Sequence, residues 1–280
     1  DLFAVNAVEC EPYLTADYKN IEENLSLLKT GTLALFKLSK AKKGCIAIKE
    51  DKKKQIEDLK KTFEGTPIEI RTVPNIYPMG WERTLVYELT GKRYNMLPIE
   101  AGMILNNAST AIALGNAIDN GMPITHKYVT VSGDALKDPK NVYVPVGTKA
   151  HEIIEAVGGY KEGVDNVLLI AGGPMMGRTI PNDAFVIAPQ NNGLTVLVNK
   201  EEDEVACLRC GRCTTTCPSG LQPVRIAAAG KSKDEATLNK LHVMDCIECG
   251  LCTYICPSKI AVTENVRRAK NFIRLQGGKK

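Results

Sequence analysis

A chain of 280 residues, 44% of them hydrophobic, can build a substantial core in two or three folding units, which excludes a disordered or fibrous protein. Its 36 basic and 32 acidic residues leave a net charge of only +4, too weak a field to argue for nucleic acid or an anionic membrane surface as partner. The longest uncharged stretch, Ala101 to Ile118, is interrupted by Asn106, Asn107, Ser109, Thr110 and Asn116, so no transmembrane segment is expected.

The chain opens at Asp1 with neither an initiator Met nor a charged-then-apolar leader, and it reads as part of a longer gene product. From Tyr18 to about Lys43, apolar residues at Ile21, Leu25, Leu28, Leu35 and Leu38 predict one amphipathic helix, or two broken near Gly31. A strand follows at Gly44 to Lys49, then a helix from about Asp51 to Phe63 and a strand across Ile68 to Val73. A helix near Glu82 to Leu89, a strand at Met103 to Leu105 and a helix from Thr110 to Ile118 continue the alternation, which predicts an α/β layer with a parallel sheet. After Gly121 and Pro123 the texture changes. Short β-like runs at Tyr128 to Val131, Val142 to Val146 and Val167 to Ile170 surround a helix from Lys149 to Ala156, predicting a small α+β module. The acidic run Glu201 to Glu204 reads as a linker into a cysteine-rich region.

Eight of the ten cysteines form two copies of one pattern, Cys207-x2-Cys210-x2-Cys213-x3-Cys217-Pro218 and Cys246-x2-Cys249-x2-Cys252-x3-Cys256-Pro257. A zinc site would take cysteines in pairs. A threefold run with a distant fourth is instead the two-cluster ferredoxin spacing, in which one loop supplies three thiolates to a [4Fe–4S] cubane and the fourth cysteine ligates the other cluster. Cluster I is therefore assigned to Cys207, Cys210, Cys213 and Cys256, and cluster II to Cys246, Cys249, Cys252 and Cys217. Such ligation belongs to a reducing compartment. The remaining Cys10 and Cys45 stand alone and are expected as buried thiols.

Between the motifs, Ala227 to Ala229 and the run Glu235 to Leu241 are helix-compatible, and Val262, Val266, Ala269 and Ile273 share a helical face, so the clusters are expected in a helical scaffold. Arg209 and Arg212 lie in the first cysteine loop, whereas Asp245 and Glu248 flank ligands of the second. Because reduction adds negative charge, this pattern predicts the higher potential for cluster I. Arg267, Arg268, Lys270 and Arg274 read as a basic face, either solvated or docking an acidic electron carrier.

The run Val5 to Asp17 (Val-Asn-Ala-Val-Glu-Cys-Glu-Pro-Tyr-Leu-Thr-Ala-Asp), Tyr77-Pro78-Met79-Gly80, Asn106-Asn107, Gly172-Gly173-Pro174-Met175-Met176-Gly177 and the two cysteine motifs together resemble the RnfC family, the NADH-side subunit of Rnf electron-transport complexes, with its proline-reductase-linked relative PrdC. The resemblance implies a Rossmann-like FMN/NADH domain related to the complex I flavin subunit over residues 1–122, lacking its N-terminal part. A soluble-ligand-binding β-grasp (SLBB) module would follow over 123–200, and a helical dicluster ferredoxin domain over 201–280. It implies FMN contacts from Asn6, Glu9, Tyr77, Gly80, Glu82, Asn106, Asn107 and Thr110. The implied function is an NADH-dependent electron-transfer oxidoreductase acting within a complex. Electrons would pass from NADH through FMN and two [4Fe–4S] clusters to a membrane Rnf complex or a proline-reductase-type selenoenzyme. The implied location is cytoplasmic, or peripheral to the inner face of the cell membrane. A rival reading is a flavin-free iron–sulfur adaptor that uses its β-grasp module to bind a ligand. Two departures stand out: the family's glycine-rich loop would lie upstream of Asp1, and Trp81 replaces a glycine in Tyr-Pro-Gln-Gly-Gly-Glu, which favours the PrdC branch.

Overall fold

The computed structural model describes residues 1–94, 96–200 and 203–277. The chain divides into two compact units, Asp1–Asn199 and Lys200–Lys280.

The first unit opens with strands β1 (Leu2–Asn6), β2 (Lys43–Lys49), β3 (Ile68–Val73) and β4 (Met103–Asn107), interleaved with helices α1 (Ala16–Glu23), α2 (Leu25–Ser39), α3 (Lys53–Thr62), α4 (Glu82–Thr90) and α5 (Ala108–Asn120). The strands form one sheet in the order β3-β2-β1-β4, every pair parallel. Alternation along the strands assigns the faces. Phe3, Val5, Ile46 and Ile48 pack with Ile21 of α1, Leu28 of α2, Leu59 of α3 and Ala111 of α5. Ala4, Cys45, Ala47 and Met103 point to the opposite face, against Leu85 and Val86 of α4. Cys45 is thus core, as its strand position predicts, and burial raises its thiol to about 11. β1 lies inside the sheet with apolar contacts on both faces. Five residues without polar alternation leave no period by which the sequence could announce it.

The helical segment after Tyr18 does break, but at Asn24 and not at Gly31. Gly31 lies mid-helix where α2 crosses α5: a Cβ there would stand 1.8 Å from Ala111 O, and one on Gly115 would stand 2.0 Å from Leu27 O. Two missing side chains let the helix backbones touch. These glycines mark a close approach rather than a stop.

The same unit continues with β5 (His126–Ser132), β6 (Lys140–Pro145), α6 (Ala150–Ala156), β7 (Val167–Ala171), β8 (Arg178–Thr179) and β9 (Gly193–Val198). They make a mixed sheet in the order β6-β5-β9-β7-β8, with β5 and β9 parallel and the other pairs antiparallel. Ile153 and Ile154 of α6 fill its core against Val129, Val131, Leu194 and Val196. β9 has the Thr- and Val-rich composition of a strand and was passed over in the sequence, whereas the two residues of β8 carry no signal.

The second unit contains α7 (Arg212–Thr215), α8 (Pro223–Lys231), α9 (Glu235–Lys240), α10 (Leu251–Tyr254) and α11 (Val262–Gly277). Glu201 and Glu202, the front of the acidic linker, lie outside the described residues. The cysteine repeat extends to the backbone around both motifs. Cys207 and Cys246 are 39 residues apart, and the same offset relates the starts of α7 and α10 and of α8 and α11. It also relates the left-handed residues Arg209 and Glu248, Gly211 and Gly250, and Gly220 and Lys259. α8 and α11 pack together where Gly230 meets Ala269, which are themselves equivalent positions; a Cβ on Gly230 would come 2.8 Å from that of Ala269. The core of this unit joins Ile226, Leu238, Val243, Val262 and Val266. Among the described residues no helix is long and apolar enough to cross a membrane.

Candidate cofactor sites

The parallel sheet sets the first site. β2 and β3 lie on one side of β1 and β4 on the other, so chain connections diverge between β1 and β4 and leave a crevice beyond their carboxyl ends, where ligands of such sheets bind. Asn6 is register partner of Asn107 on the last rung, and Val5 is partner of Asn106. The loops after β1, β3 and β4 therefore bring Asn6, Glu9, Tyr77, Gly80, Asn106, Asn107 and Thr110 to the same end of the sheet.

Several of these side chains hold the loops rather than face outward. Asn6 donates from Nδ2 to Gly80 O at 2.8 Å and accepts the Val8 amide at 2.9 Å, tying the β1 and β3 loops together. Gly80 permits that contact, because a Cβ on it would stand 1.9 Å from Val8 O. Glu9 accepts the amides of Asp17 and Tyr18 at 3.0 and 3.4 Å, serving the first turn of α1 from outside the helix. Burial, reinforced by the Asp17 carboxylate, raises the Glu9 carboxyl to about 7. Asn107 caps α5 by accepting the Ser109 amide at 2.7 Å and donates to Asp17 at 3.2 Å; the Ser109 hydroxyl donates to Asp17 at 2.7 Å. Glu82, exposed at the start of α4, accepts the Tyr94 hydroxyl at 2.7 Å. The side chains of Asn106 and Thr110 take no part in these hydrogen bonds. Cys10 is half-buried, beside Gly80, and burial raises its pKa. Trp81 precedes α4 in extended conformation.

Sequence reasoning passed over Glu11. Its Oε1 accepts the amides of Met175 and Met176 at 2.7 and 2.9 Å, and a Cβ on Gly173 would stand 2.0 Å from its Cγ. The Gly172-to-Gly177 motif is thus the socket for Glu11 and ties the mixed sheet to the β1 loop. Thr15, Thr130 and Asn141 continue this seam through hydrogen bonds of 2.8 to 3.1 Å. Asn107 and Thr110 also open onto a cavity of about 370 Å³ with Asn20, Asn24, Tyr128 and Gln190 in its walls, a volume in the range of small-molecule sites.

The second site lies in the other unit. Cys217, Cys246, Cys249 and Cys252 line one cavity with Pro218, Leu221, Ile226, Leu251 and Val266. These are the four cysteines assigned to cluster II, and Cys217 reaches them from the other motif. No three acidic, histidine or cysteine side chains among the described residues converge closely enough for a single metal ion. Four thiols around one cavity are the donor set that a [4Fe–4S] cubane takes. The backbone is arranged for sulfur: Arg209 and Glu248, both left-handed, donate their amides to Cys207 and Cys246 Sγ, each at 3.4 Å, and Leu221 donates to Cys217 Sγ at 3.4 Å. Burial raises the thiols of Cys246 and Cys249 to about 11; a bound iron would have to displace those protons. Of the cluster I set, Cys207 and Cys210 are exposed and Cys213 and Cys256 half-buried.

The basic face predicted on α11 is divided. Lys270 and Arg267 turn inward onto Glu248, with Nζ to Oε1 at 2.7 Å and Nε to Oε2 at 3.1 Å, whereas Arg268 is exposed and pairs with Glu264. Glu248 is therefore no lone anion beside cluster II. Burial pushes its carboxyl up, but Lys270 and Arg267 outweigh that and hold it below the usual range. Counting loop charges from sequence omitted two cations that arrive from a helix about twenty residues away.

Sheet, crevice and duplicated loops define a protein that carries a flavin-type α/β domain and an iron–sulfur dicluster domain. Residues 1–116 match the Nuo51 FMN-binding domain family, 128–179 the SLBB domain and 187–260 the 4Fe-4S dicluster domain. The chain belongs to the RnfC family, the C subunits of ion-translocating oxidoreductase complexes. It is 37% identical to the C subunit of the proton-translocating ferredoxin:NAD(+) oxidoreductase complex of Clostridium ljungdahlii, over 82% of this chain and 51% of that one. It is 36% identical to the C subunit of the ion-translocating oxidoreductase complex of Rhodobacter capsulatus, over 80% of this chain and 44% of the relative. The chain thus spans about half the length of these curated relatives. In fold it is similar to a chain of an NAD+-reducing [NiFe]-hydrogenase, with a TM-score of 0.63 at 17% identity over 98% of this chain and 55% of that one.

Proposed function

We propose that this chain is the flavin and iron–sulfur portion of an NADH-linked electron-transfer subunit, exchanging electrons between a nicotinamide nucleotide and an ion-translocating membrane complex. The supporting observation is the cavity in which Cys217 of one motif joins Cys246, Cys249 and Cys252 of the other, because that crossing is useful only to a pair of clusters. FMN, when bound, exchanges electron pairs with nicotinamide and single electrons with the clusters. The protein supplies position. Asn6 and Asn107 hold the loops that frame the crevice, Asn106 and Thr110 offer polar groups to the flavin, and Glu11 keeps the β-grasp module against the β1 loop. The modules run over 1–122, 123–200 and 201–280. The partner complex follows from the relatives' names, which Trp81 does not outweigh, and a seat at the inner face of the cell membrane goes with that partner.

The test uses the complete protein containing these residues, purified anaerobically. FMN near one per chain, about eight iron and eight sulfide, and bleaching of the cluster absorbance by NADH are the expected results. Flavin-loaded protein whose clusters stay oxidised under NADH would overturn the nicotinamide assignment. Clusters without any flavin would leave an iron–sulfur adaptor.

A further inference from the structure

Lys270 is 6% exposed, the most thoroughly buried cation described in the chain. Its Nζ donates to Cys246 O at 2.6 Å and to Glu248 Oε1 at 2.7 Å. Glu248 in turn gives its own amide to Cys246 Sγ and accepts Arg267 at Oε2. One ammonium therefore grips both the carbonyl of a cysteine assigned to cluster II and the residue whose amide reaches that cysteine's sulfur.

The 39-residue repeat supplies an internal control. The equivalents of Glu248, Arg267 and Lys270 are Arg209, Ala228 and Lys231. Arg209 adopts the same left-handed turn, φ 55° against 57°, and makes the same 3.4 Å amide bond to Cys207. It does so with no carboxylate at that position and with Lys231 exposed. The loop thus forms without the ion cluster, so the cluster is not there to build the loop. Burying an ammonium carries a desolvation cost that a fold has no need to meet where the same backbone forms without it.

We propose that Lys270 is a positioning residue that tunes the second cluster: held by Cys246 O and Glu248, it supplies a fixed, buried positive charge that favours the reduced state. This rests on the reading that Cys217, Cys246, Cys249 and Cys252 hold a cubane. Reduction adds one electron to the cluster and no other bond changes. A cation held out of water stabilises the added charge, Glu248 opposes it, and Arg267 lies on the far oxygen of Glu248. Exposed Arg209 and Lys231, screened by water, act far less on the first cluster. The loop charges alone predict the first cluster to be the more easily reduced; Lys270 narrows or reverses that order.

The experiment is an EPR-monitored potentiometric titration of the complete protein, with iron and sulfide determined on each sample. Lys270→Met should shift the reduction equilibrium of the second cluster about tenfold toward the oxidised form, which is 59 mV for one electron, and leave the first cluster where it was. Lys270→Arg should recover most of the shift, and Glu248→Gln should move the same cluster the opposite way. Wild-type protein that never holds about eight iron would defeat the cluster assignment itself. Full iron with the second potential unmoved in Lys270→Met would overturn the role of Lys270 alone. If Lys270→Met sheds the second cluster, Lys270→Gln decides, because it keeps a donor for Cys246 O without the charge: a lowered potential supports the proposal and an unchanged one rejects it.

Discussion

The two cysteine loops share a backbone and differ in their surroundings. Both turn through left-handed residues at equivalent positions and both aim an amide at the first sulfur. The second lines a cavity against Ile226 and Val266, with Cys249 buried, whereas Cys207 and Cys210 of the first are exposed. Duplicated local sequence repeats a metal-binding loop. Packing then makes the copies unequal, and an unequal pair can pass electrons in a preferred order.

Removing the crossing ligands one at a time tests this pairing most severely. Cys217→Ala should remove the second cluster and retain the first, halving iron to about four per chain, and Cys256→Ala should do the reverse. Iron analysis with EPR distinguishes them; loss of the cluster belonging to the mutated motif itself would reject the crossed assignment.

A smaller effect should appear in the metal-free protein. Burial disfavours the thiolates of Cys246 and Cys249, so their alkylation should keep accelerating as pH rises toward about 11. At pH 8 it should run up to about a hundredfold slower than that of an ordinary exposed thiol. Peptide mass mapping after timed iodoacetamide treatment reads this directly, and labelling of Cys246 as fast as Cys207 would contradict the buried second loop.

The smallest effect concerns the helix crossing that relates the halves. Gly230→Val should cost roughly 1 to 3 kcal/mol by overpacking Ala269, measured by denaturant unfolding. Exchanging the equivalent residues, Gly230→Ala with Ala269→Gly, should stay within about 1 kcal/mol of wild type. A costly exchange would mean that the crossing is not two-fold in character.

Elements with a strong local period were legible before the structure. The strand across Ile68 to Val73 falls where alternation put it, and the helices of the first unit end within a few residues of expectation. The doubled cysteine pattern was legible because spacing is a local property of the chain. β1 was missed because a short strand buried on both sides shows no polar alternation. Gly31 misled because a glycine signals equally a helix end and a close contact, and only the presence of α5 decides between them.

Local pattern in the amino-acid sequence was enough to specify the kinds of parts: a parallel α/β layer, a small mixed sheet and a doubled cysteine loop. Each follows from periodicities of a few residues that any chain segment carries alone. The pairings across long separations came from tertiary packing. Asn6 pairs with Asn107 at the carboxyl end of the sheet, Glu11 enters the Gly172-to-Gly177 socket, Cys217 joins the cysteines of the other motif, and Lys270 turns inward to Glu248. The reason is physical: a side chain's charge and hydrogen-bonding capacity are written in its identity, but its direction and its partner are set by which faces of the chain are buried together.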